Sequence, residues 1–226
     1  MTKDFVQTIA PVAFFRSPFK EKFGIPRQSG LIDELPGQIV FVEEWQNAES
    51  LRGIEDFDYL WLIWEFSENC EAKKSPTVRP PLLGGNRRMG VFATRSPFRP
   101  NNLGLSCVRL DHVEWETEQG PVIHVRGADL MDGTPIYDIK PYLPYADAHP
   151  DARGGFTEER QWPELTVTIP PERAEAFTEE QLRNLIRALQ LDPRPHYQDD
   201  AERIYGMMFD GHNIHFRVNG DQLEII

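Results

Sequence analysis

Short β-rich segments, separated by turn signals, run through the first 145 residues of this chain. β-branched and aromatic residues dominate each segment, and the dipeptides between them, such as Pro36-Gly37 and Asp132-Gly133, are typical turn formers. The predicted strands are residues 38–45, 59–66, 90–94, 105–116 and 122–126. Short strands at this spacing, without a βαβ rhythm, predict a mainly β fold with a closed or nearly closed barrel.

The last third of the chain has a different pattern. Thr178 followed by Gln181 is a capping-box signal, and apolar residues at helical spacing after it predict an amphipathic helix to about Gln190. A strand is predicted at 165–169, and the tail at 205–226 is predicted to form a hairpin around Asp210-Gly211 with a final turn at Asn219-Gly220. We therefore expect a β-barrel domain at 1–146, a polar linker at 147–164 and a small α/β domain at 165–226.

Several classes of protein have no support in this sequence. The longest strongly apolar run, 59–64, has six residues, whereas a helix needs about 20 to span a bilayer. The N-terminus carries an early Asp and no long apolar stretch, so we expect a soluble, cytoplasmic protein without a membrane partner. Two cysteines and the pair His212 and His215 do not make a metal site, and Cys107 is predicted to be a small core residue.

Charge is concentrated in one part of the chain. Residues 72–110 contain eight Lys or Arg and no Asp or Glu, although the whole chain has a formal net charge of −12. This segment, here called the basic strip, is also rich in Gly, Pro and Asn. A basic, turn-rich strip on an acidic protein indicates a binding site for an anionic partner.

The familiar nucleotide-binding and hydrolase motifs are missing from the sequence. There is no GxxxxGK[ST] phosphate loop, no GxGxxG after a strand and no GxSxG elbow. A Rossmann-type adenine methyltransferase would carry an Asp/Asn-Pro-Pro-aromatic signature, which the segment DPRP at 192–195 does not match.

Three other segments carry a specific pattern. They are RSPFKEKFGIPRQSGL at 16–31, the run TRSPFRPN at 94–101 followed by GLS, and DGTP with DIKPYLPYAD between 132 and 147. Together they resemble the β-barrel tRNA adenosine N6-methyltransferase family, TrmO, also called TsaA-like. The resemblance covers about residues 8–145 and continues more loosely into the C-terminal unit. Where the family usually has Asn-Pro-Ile, this chain has Asn101-Asn102-Leu103.

The resemblance implies a function and a cofactor. The family uses S-adenosylmethionine to methylate N6 of threonylcarbamoyladenosine, just 3′ of the anticodon in certain tRNAs, and works as a homodimer with cofactor sites near the subunit interface. Ser67 stands where the family commonly has a histidine. The cofactor-binding residues that the resemblance implies are Arg27, Gln28, Ser29, Gly30, Leu31, Ser67, Glu68, Arg95, Leu105, Gly127, Ala128 and Asp129.

Methyl transfer to a delocalised nitrogen needs in-line positioning and removal of a proton. We hypothesise that Asp138 or Tyr142 assists the proton while Lys140 stabilises the developing anion. Asp138 and Lys140 are two residues apart, so they share a face in an extended segment. A salt-bridged strand pair with no catalytic role is an equally good interpretation of these two residues.

The remaining cations are assigned to the RNA. The predicted phosphate contacts to the tRNA anticodon loop are Lys20, Lys22, Arg79, Arg87, Arg88 and Arg99. Two other functions are compatible with the sequence. One is a non-enzymatic RNA- or nucleotide-binding β-barrel, and the other is a methyltransferase with a different acceptor.

Overall fold

The structure is a computed structural model that describes residues 6–69, 73–159, 162–194 and 200–226. Within these ranges, eight strands lie before residue 142, and six of them make one antiparallel sheet in the order β1-β2-β7-β6-β3-β8. Pairing of β1 with β8 closes this sheet into a barrel. The strands are β1 (Ala13–Arg16), β2 (Pro36–Phe41), β3 (Tyr59–Glu65), β4 (Thr77–Val78), β5 (Met89–Gly90), β6 (Leu103–Glu114), β7 (Val122–Arg126) and β8 (Pro135–Pro141).

Alternation of side chains explains why these strands form a barrel. In β3 the residues Leu60, Leu62 and Trp64 are buried and face the interior, while the residues between them face outward. The interior is filled by aliphatic and aromatic side chains, including Phe15 and Ile123. Burial of one face of each strand drives the sheet to close. The predicted mainly β fold is confirmed.

Two predicted strands differ from the structure. Strand β2 ends at Phe41, and Glu43–Trp45 forms a 3-10 turn instead of continuing the strand. The segment predicted at 90–94 pairs with β4 only at Met89–Gly90, after which Val91–Ala93 turns into a 3-10 helix. The Val91 N–H donates to the Pro76 carbonyl. No longer ladder is available there, so β-forming composition alone does not produce a strand.

Strand β8 carries an irregularity that affects the outer face of the barrel. Ile63 of β3 pairs with Asp138, whereas Trp64 pairs with Ile136, so Tyr137 is an extra residue. Such a bulge turns successive side chains to the same side and re-aims them. The Tyr137 hydroxyl donates a hydrogen bond to Glu65 Oε2 at 2.5 Å.

The C-terminal unit has its own sheet and one long helix. Thr178 caps α3 with the complete capping box that the sequence predicts, because its side chain and that of Gln181 bond each other's backbone N–H groups. The four-stranded sheet has the order β10-β11-β12-β9. The elements of this unit are β9 (Thr166–Thr168), α2 (Pro171–Ala174), α3 (Glu179–Gln190), β10 (Tyr205–Phe209), β11 (His212–Asn219) and β12 (Gln222–Ile225). The short helix α1 (Pro144–Asp147) belongs to the barrel, since it follows β8 and its Asp147 accepts from Trp61 Nε1 at 3.0 Å.

The segment 17–35, which connects β1 to β2, joins the two units. Phe19, Ile32 and Leu35 are buried in the core of the C-terminal unit with Leu185 and Phe209. The rings of Phe19 and Phe209 meet edge to face with centroids 5.3 Å apart. The first predicted cofactor loop is therefore held between the barrel and the C-terminal sheet. Across the described ranges, every helix is too short or too polar to cross a membrane.

Candidate active site

A cavity of about 490 Å³ opens at the end of β3, where the barrel meets the segment 17–35. Side chains from four separated parts of the sequence line it. Seven of the predicted cofactor residues are brought together there: Arg27, Gln28, Ser67, Glu68, Arg95, Leu105 and Asp129. Below, this is called the first cavity.

The other five predicted cofactor residues support the wall of the first cavity rather than line it. The Gly30 N–H donates to the Gly127 carbonyl at 2.8 Å, and the Gly127 N–H donates to the Leu35 carbonyl at 2.9 Å. Gly30 has φ +80°, a conformation that favours glycine. Ala128 is buried. The loop with Ser29, Gly30 and Leu31 and the corner with Gly127 and Ala128 thus hold each other in place.

Asp129 is one of three acidic residues that line the first cavity, with Glu65 and Glu68. Its carboxylate accepts from the Ser106 hydroxyl at 2.5 Å, and Ser106 in turn accepts from Trp64 Nε1 at 2.9 Å. Burial raises the pKa of Asp129, while bonds from Ser106 and the Ser29 N–H and the charge of Arg95 oppose this rise. A carboxylate with spare lone pairs in such a wall is suited to a cationic or hydroxyl-bearing ligand.

Arg95 is one of four basic residues that line the first cavity, with Lys22, Arg27 and Arg99. Its Nη1 donates to Gln28 Oε1 at 2.6 Å, which leaves further guanidinium donors for a ligand. The side chain of Arg27 has a different role. Its guanidinium donates to the carbonyls of Leu191 and Asp192 after helix α3, and burial lowers its pKa. Arg27 thus attaches the loop to the C-terminal unit.

Ser67 and Glu68 lie in a 3-10 turn, Ser67–Asn69, directly after β3. The turn is held by Asn102, whose carbonyl accepts from the Phe66 N–H at 2.8 Å. Asn102 has φ +53° and is buried. Proline, which the family usually has here, cannot adopt this φ because its ring fixes φ near −65°. The loop in this chain therefore takes a path that a proline would forbid.

Sequence reasoning missed several residues of the first cavity. Trp64, Glu65 and Phe66 lie at the end of β3, immediately before the predicted Ser67, and the rings of Trp64 and Phe66 are 4.4 Å apart. At the end of a mostly apolar strand, such residues are predicted to pack in the core, so the sequence alone does not predict that they also line a cavity. Thr94, Leu103, Gly104, Met131 and Thr134 also line the cavity.

The three predicted catalytic residues are not among the residues that line the first cavity. Lys140 Nζ lies 2.7 Å from Asp138 Oδ2, and both side chains are exposed to solvent on the outer side of the barrel. Tyr142 packs near Trp61 and Tyr59, with ring centroids 6.0 and 6.1 Å away. The ion pair agrees with either interpretation of Asp138 and Lys140, catalytic or structural.

Two of the six predicted RNA-binding cations line the first cavity, and the other four lie elsewhere. Lys22 and Arg99 line it, and they donate to the carbonyls of Glu68 and Thr94 respectively. Lys20 pairs with Asp132 at 2.7 Å. Arg87 pairs with Glu159, Arg88 donates to Thr77 Oγ1, and Arg79 lines a neighbouring cavity.

Cys107 differs from its prediction as a core residue. In β6 its neighbours Ser106 and Val108 are buried, whereas Cys107 lies half-buried on the outer face opposite Trp61. Burial and the charge of Asp147 raise the pKa of its thiol, which disfavours the reactive thiolate. Within the described ranges, no three His, Cys, Asp or Glu residues are grouped so that they could hold a metal ion.

These features define a class of protein: a closed antiparallel barrel whose cavity presents a guanidinium and a half-buried carboxylate to a ligand, joined to a small α/β unit. Residues 14–148 match the family described as tRNA-methyltransferase O N-terminal domain, and residues 163–226 match the TrmO C-terminal domain. The chain therefore belongs to the TrmO family, and the resemblance noted from the three segments is confirmed.

Individual relatives agree with this assignment. The chain is 40% identical to a tRNA (adenine(37)-N6)-methyltransferase of Escherichia coli K12, over 95% of this chain and 94% of that protein. It is 38% identical to a putative S-adenosylmethionine-dependent methyltransferase of Pseudomonas aeruginosa, over 92% and 91% of the two chains. A crystal structure of TrmO from Pseudomonas aeruginosa superposes with a TM-score of 0.78 at 31% identity, covering 100% of this chain and 98% of that chain.

Proposed function

We propose that this chain is an S-adenosylmethionine-dependent tRNA methyltransferase that acts on N6 of adenine 37, in the form of threonylcarbamoyladenosine. The observation that carries the proposal is the first cavity, where Arg95 and Asp129 face one space in a protein of the TrmO family. Its volume of about 490 Å³ is in the range of cofactor sites.

The residues of the first cavity fit this cofactor chemically. A guanidinium such as that of Arg95 can hold the carboxylate of an amino acid group, and Asp129 can accept from an ammonium or a ribose hydroxyl. Phe66 and Leu105 supply apolar surface for a purine ring. S-adenosylmethionine carries an electrophilic methyl group on a sulfonium.

The acceptor nitrogen needs help from the protein. In threonylcarbamoyladenosine it lies between a purine and a carbonyl, so its lone pair is delocalised until the N–H is lost. We assign the proton to Asp138 or Tyr142 and the stabilisation of negative charge on the carbonyl to Lys140. Lys140 Nζ lies 2.7 Å from Asp138 Oδ2, so a carboxylate that can accept a proton and a cation that can stabilise negative charge are presented side by side.

Asp138, Lys140 and Tyr142 do not line the first cavity of their own subunit. We infer that a homodimer brings them to the cavity of the other subunit. The outer face of β3, β6 and β8 exposes large apolar side chains, with exposed fractions of 44% at Tyr59 and 53% at Leu105. Leu105 belongs both to this face and to the first cavity. A second copy that covers this face would bring its own Asp138, Lys140 and Tyr142 toward the cavity.

RNA would approach along the basic strip. The acidic remainder of the chain repels phosphate, so docking is confined to the cations around the cavities. Two of the relatives are proteins of Escherichia coli and Pseudomonas aeruginosa. Because tRNA is cytoplasmic in bacteria, we place the protein in the cytoplasm.

Calorimetry with S-adenosylmethionine separates this proposal from a purely RNA-binding barrel. The protein should release or absorb heat on binding, and Arg95→Ala should weaken binding by about tenfold or more through loss of a charge-assisted contact. Absence of any cofactor binding by the wild-type protein would contradict the proposal.

Mixing of inactive variants tests the shared site. At a cofactor concentration well below the Kd of the variant, Arg95→Ala should suppress methylation, and Asp138→Asn or Lys140→Ala should suppress single-turnover methylation without abolishing cofactor binding. If the residues act across the interface, mixing Arg95→Ala with Asp138→Asn should restore about a quarter of wild-type activity, since half the dimers are mixed and each holds one intact site. No restoration would place both residues in the same subunit's site.

A further inference from the structure

A second cavity of about 450 Å³ lies beside the first one. Three separate parts of the chain line it: the segment with Ile25 and Arg27, the basic strip after β4, and the C-terminal end of α3. We propose that the second cavity receives the nucleotide adjacent to the target adenosine in the tRNA. This inference rests on the proposed function, since it deepens the RNA specificity of the same enzyme.

The charge of the second cavity suits a phosphate. Lys22, Arg27, Arg79 and Arg194 are basic, and Asp192 is the acidic member of the lining set. Arg194 neutralises Asp192, with Nε to Oδ1 at 2.9 Å and Nη2 to Oδ2 at 3.0 Å. The cavity therefore keeps an excess of positive charge within a chain of net charge −12, which attracts an RNA phosphate to this point.

Arg79 is the cation that can bind the phosphate directly. It is exposed, and within the part of the chain that the structure describes it makes no hydrogen bond or ion pair. Arg27 is already committed, because it donates to the Leu191 and Asp192 carbonyls and its guanidinium lies 4.0 Å from the centre of the Trp162 ring. Arg79 can thus turn toward an incoming anion at little cost.

The rest of the lining offers apolar surface for a base and a protein backbone that a ligand can approach closely. Pro26, Pro81 and Leu191 give the cavity apolar surface on which the face of a base can pack. Gly84 and Gly85 have φ +70° and +71°, and no heavy atom lies within 4 Å of a Cβ built on Gly85. The ligand can therefore approach this backbone without meeting a side chain.

The two cavities are close enough to take neighbouring nucleotides. They share Lys22, Ile25, Pro26 and Arg27, so the same short segment borders both. An enzyme that works on a base of a loop draws that base out of the stack, which also unstacks its neighbour. The neighbouring nucleotide then lies beside the shared segment, residues 22–27, which also borders the second cavity. The base of that nucleotide can therefore determine which tRNAs are substrates.

Abasic substitution in RNA tests this inference. The probes are synthetic anticodon stem-loops with threonylcarbamoyladenosine at the target position, either intact or abasic at the 5′ or the 3′ neighbour. Binding to the full-length protein is measured at fixed salt. For wild type, one of the two abasic RNAs should bind about tenfold more weakly than the intact RNA, the size expected for a packed base.

Arg79→Ala should weaken binding of the intact RNA by about five- to tenfold, and the penalty for the abasic neighbour should then fall below about twofold. The matched control is Arg88→Ala, which removes one charge of the same strip outside the second cavity. This variant should bind the intact and the abasic RNAs more weakly by the same factor, so the tenfold difference in affinity between them should remain. Thermal unfolding confirms that both variants are folded.

Two results would overturn the inference. One is equal wild-type affinity for all three RNAs, and the other is an abasic penalty that is unchanged in Arg79→Ala. Methylation of the intact stem-loop by wild-type protein is scored separately. Methyl transfer without a neighbour effect overturns this inference alone, whereas a neighbour effect without methyl transfer overturns the proposed function alone.

Discussion

The Ser106 hydroxyl lies 2.5 Å from the Asp129 carboxylate and is itself bonded by Trp64 Nε1 at 2.9 Å. Ser106 and Trp64 belong to the barrel core, whereas Asp129 faces the first cavity. The chain of two hydrogen bonds therefore ties the position of a ligand-facing carboxylate to the packing of the barrel.

Ser106→Ala should weaken both the fold and cofactor binding. The Trp64 N–H would be left without a partner in a buried place, and Asp129 would lose one bond, which together cost about 1–3 kcal/mol. Urea unfolding and calorimetry with S-adenosylmethionine measure the two effects. Cys107→Ala is the matched control, since it alters the next residue of β6 on the outer face. Equal behaviour of the two variants would contradict the role of Ser106.

Asp129→Asn should change how stability depends on pH. Burial raises the pKa of Asp129 in the folded protein, so the folded state holds this proton more tightly than the unfolded state. Its contribution to stability falls as pH rises from the unfolded pKa, about 4, through the raised folded pKa. The variant should therefore gain stability relative to wild type between acid and neutral pH, while cofactor binding weakens. Parallel pH profiles of the two proteins would refute this.

Glu159→Gln should strengthen tRNA binding. Arg87 Nη1 contacts both carboxylate oxygens of Glu159, at 2.9 and 3.0 Å, and this exposed pair holds one predicted RNA cation. Exposed pairs are worth up to about 1 kcal/mol, so release of Arg87 should raise affinity about two- to fivefold at low salt. Glu175→Gln removes the same charge elsewhere and should change affinity less. A gain that persists in Arg87→Ala would show that Arg87 is not the cause.

Asn102→Pro should destabilise the protein. Proline cannot adopt the φ of +53° at this position, and it would lose the bond from the Asn102 N–H to the Arg99 carbonyl. The loss should exceed about 1 kcal/mol, whereas Asn102→Gly, which tolerates this φ, should stay within about 1 kcal/mol of wild type. Thermal unfolding compares the three proteins. A proline variant as stable as the glycine variant would mean that the loop has no fixed path.

The features predicted correctly from sequence are those set by local interactions. Thr178 and Gln181 cap each other within one turn, so the start of α3 is encoded in four consecutive residues. The turns at Asp210-Gly211 and Asn219-Gly220 likewise separate β10, β11 and β12 as predicted. Seven residues that the family pattern predicts to bind the cofactor line one cavity, and their role in binding stays a prediction.

The features that were missed depend on distant pairing. Strand β8 contains two prolines, and it is a strand because it pairs with β3 and β1. The local sequence of β8 does not predict this pairing. The bulge at Tyr137 and the contact of Tyr137 with Glu65 follow from that pairing. Arg27 lines the first cavity, and its guanidinium also donates to carbonyls 164 and 165 residues away, a contact that the sequence does not reveal. Such contacts are fixed only when the whole chain folds.

The proposed transfer of a methyl group to threonylcarbamoyladenosine in tRNA is tested most directly by mass spectrometry of tRNA nucleosides from a strain that lacks this protein. In that strain we expect the methylated nucleoside to disappear and unmethylated threonylcarbamoyladenosine to rise. The purified protein with S-adenosylmethionine should restore the mark on tRNA from that strain. An unchanged level of the methylated nucleoside, with no transfer by the purified protein, would contradict it.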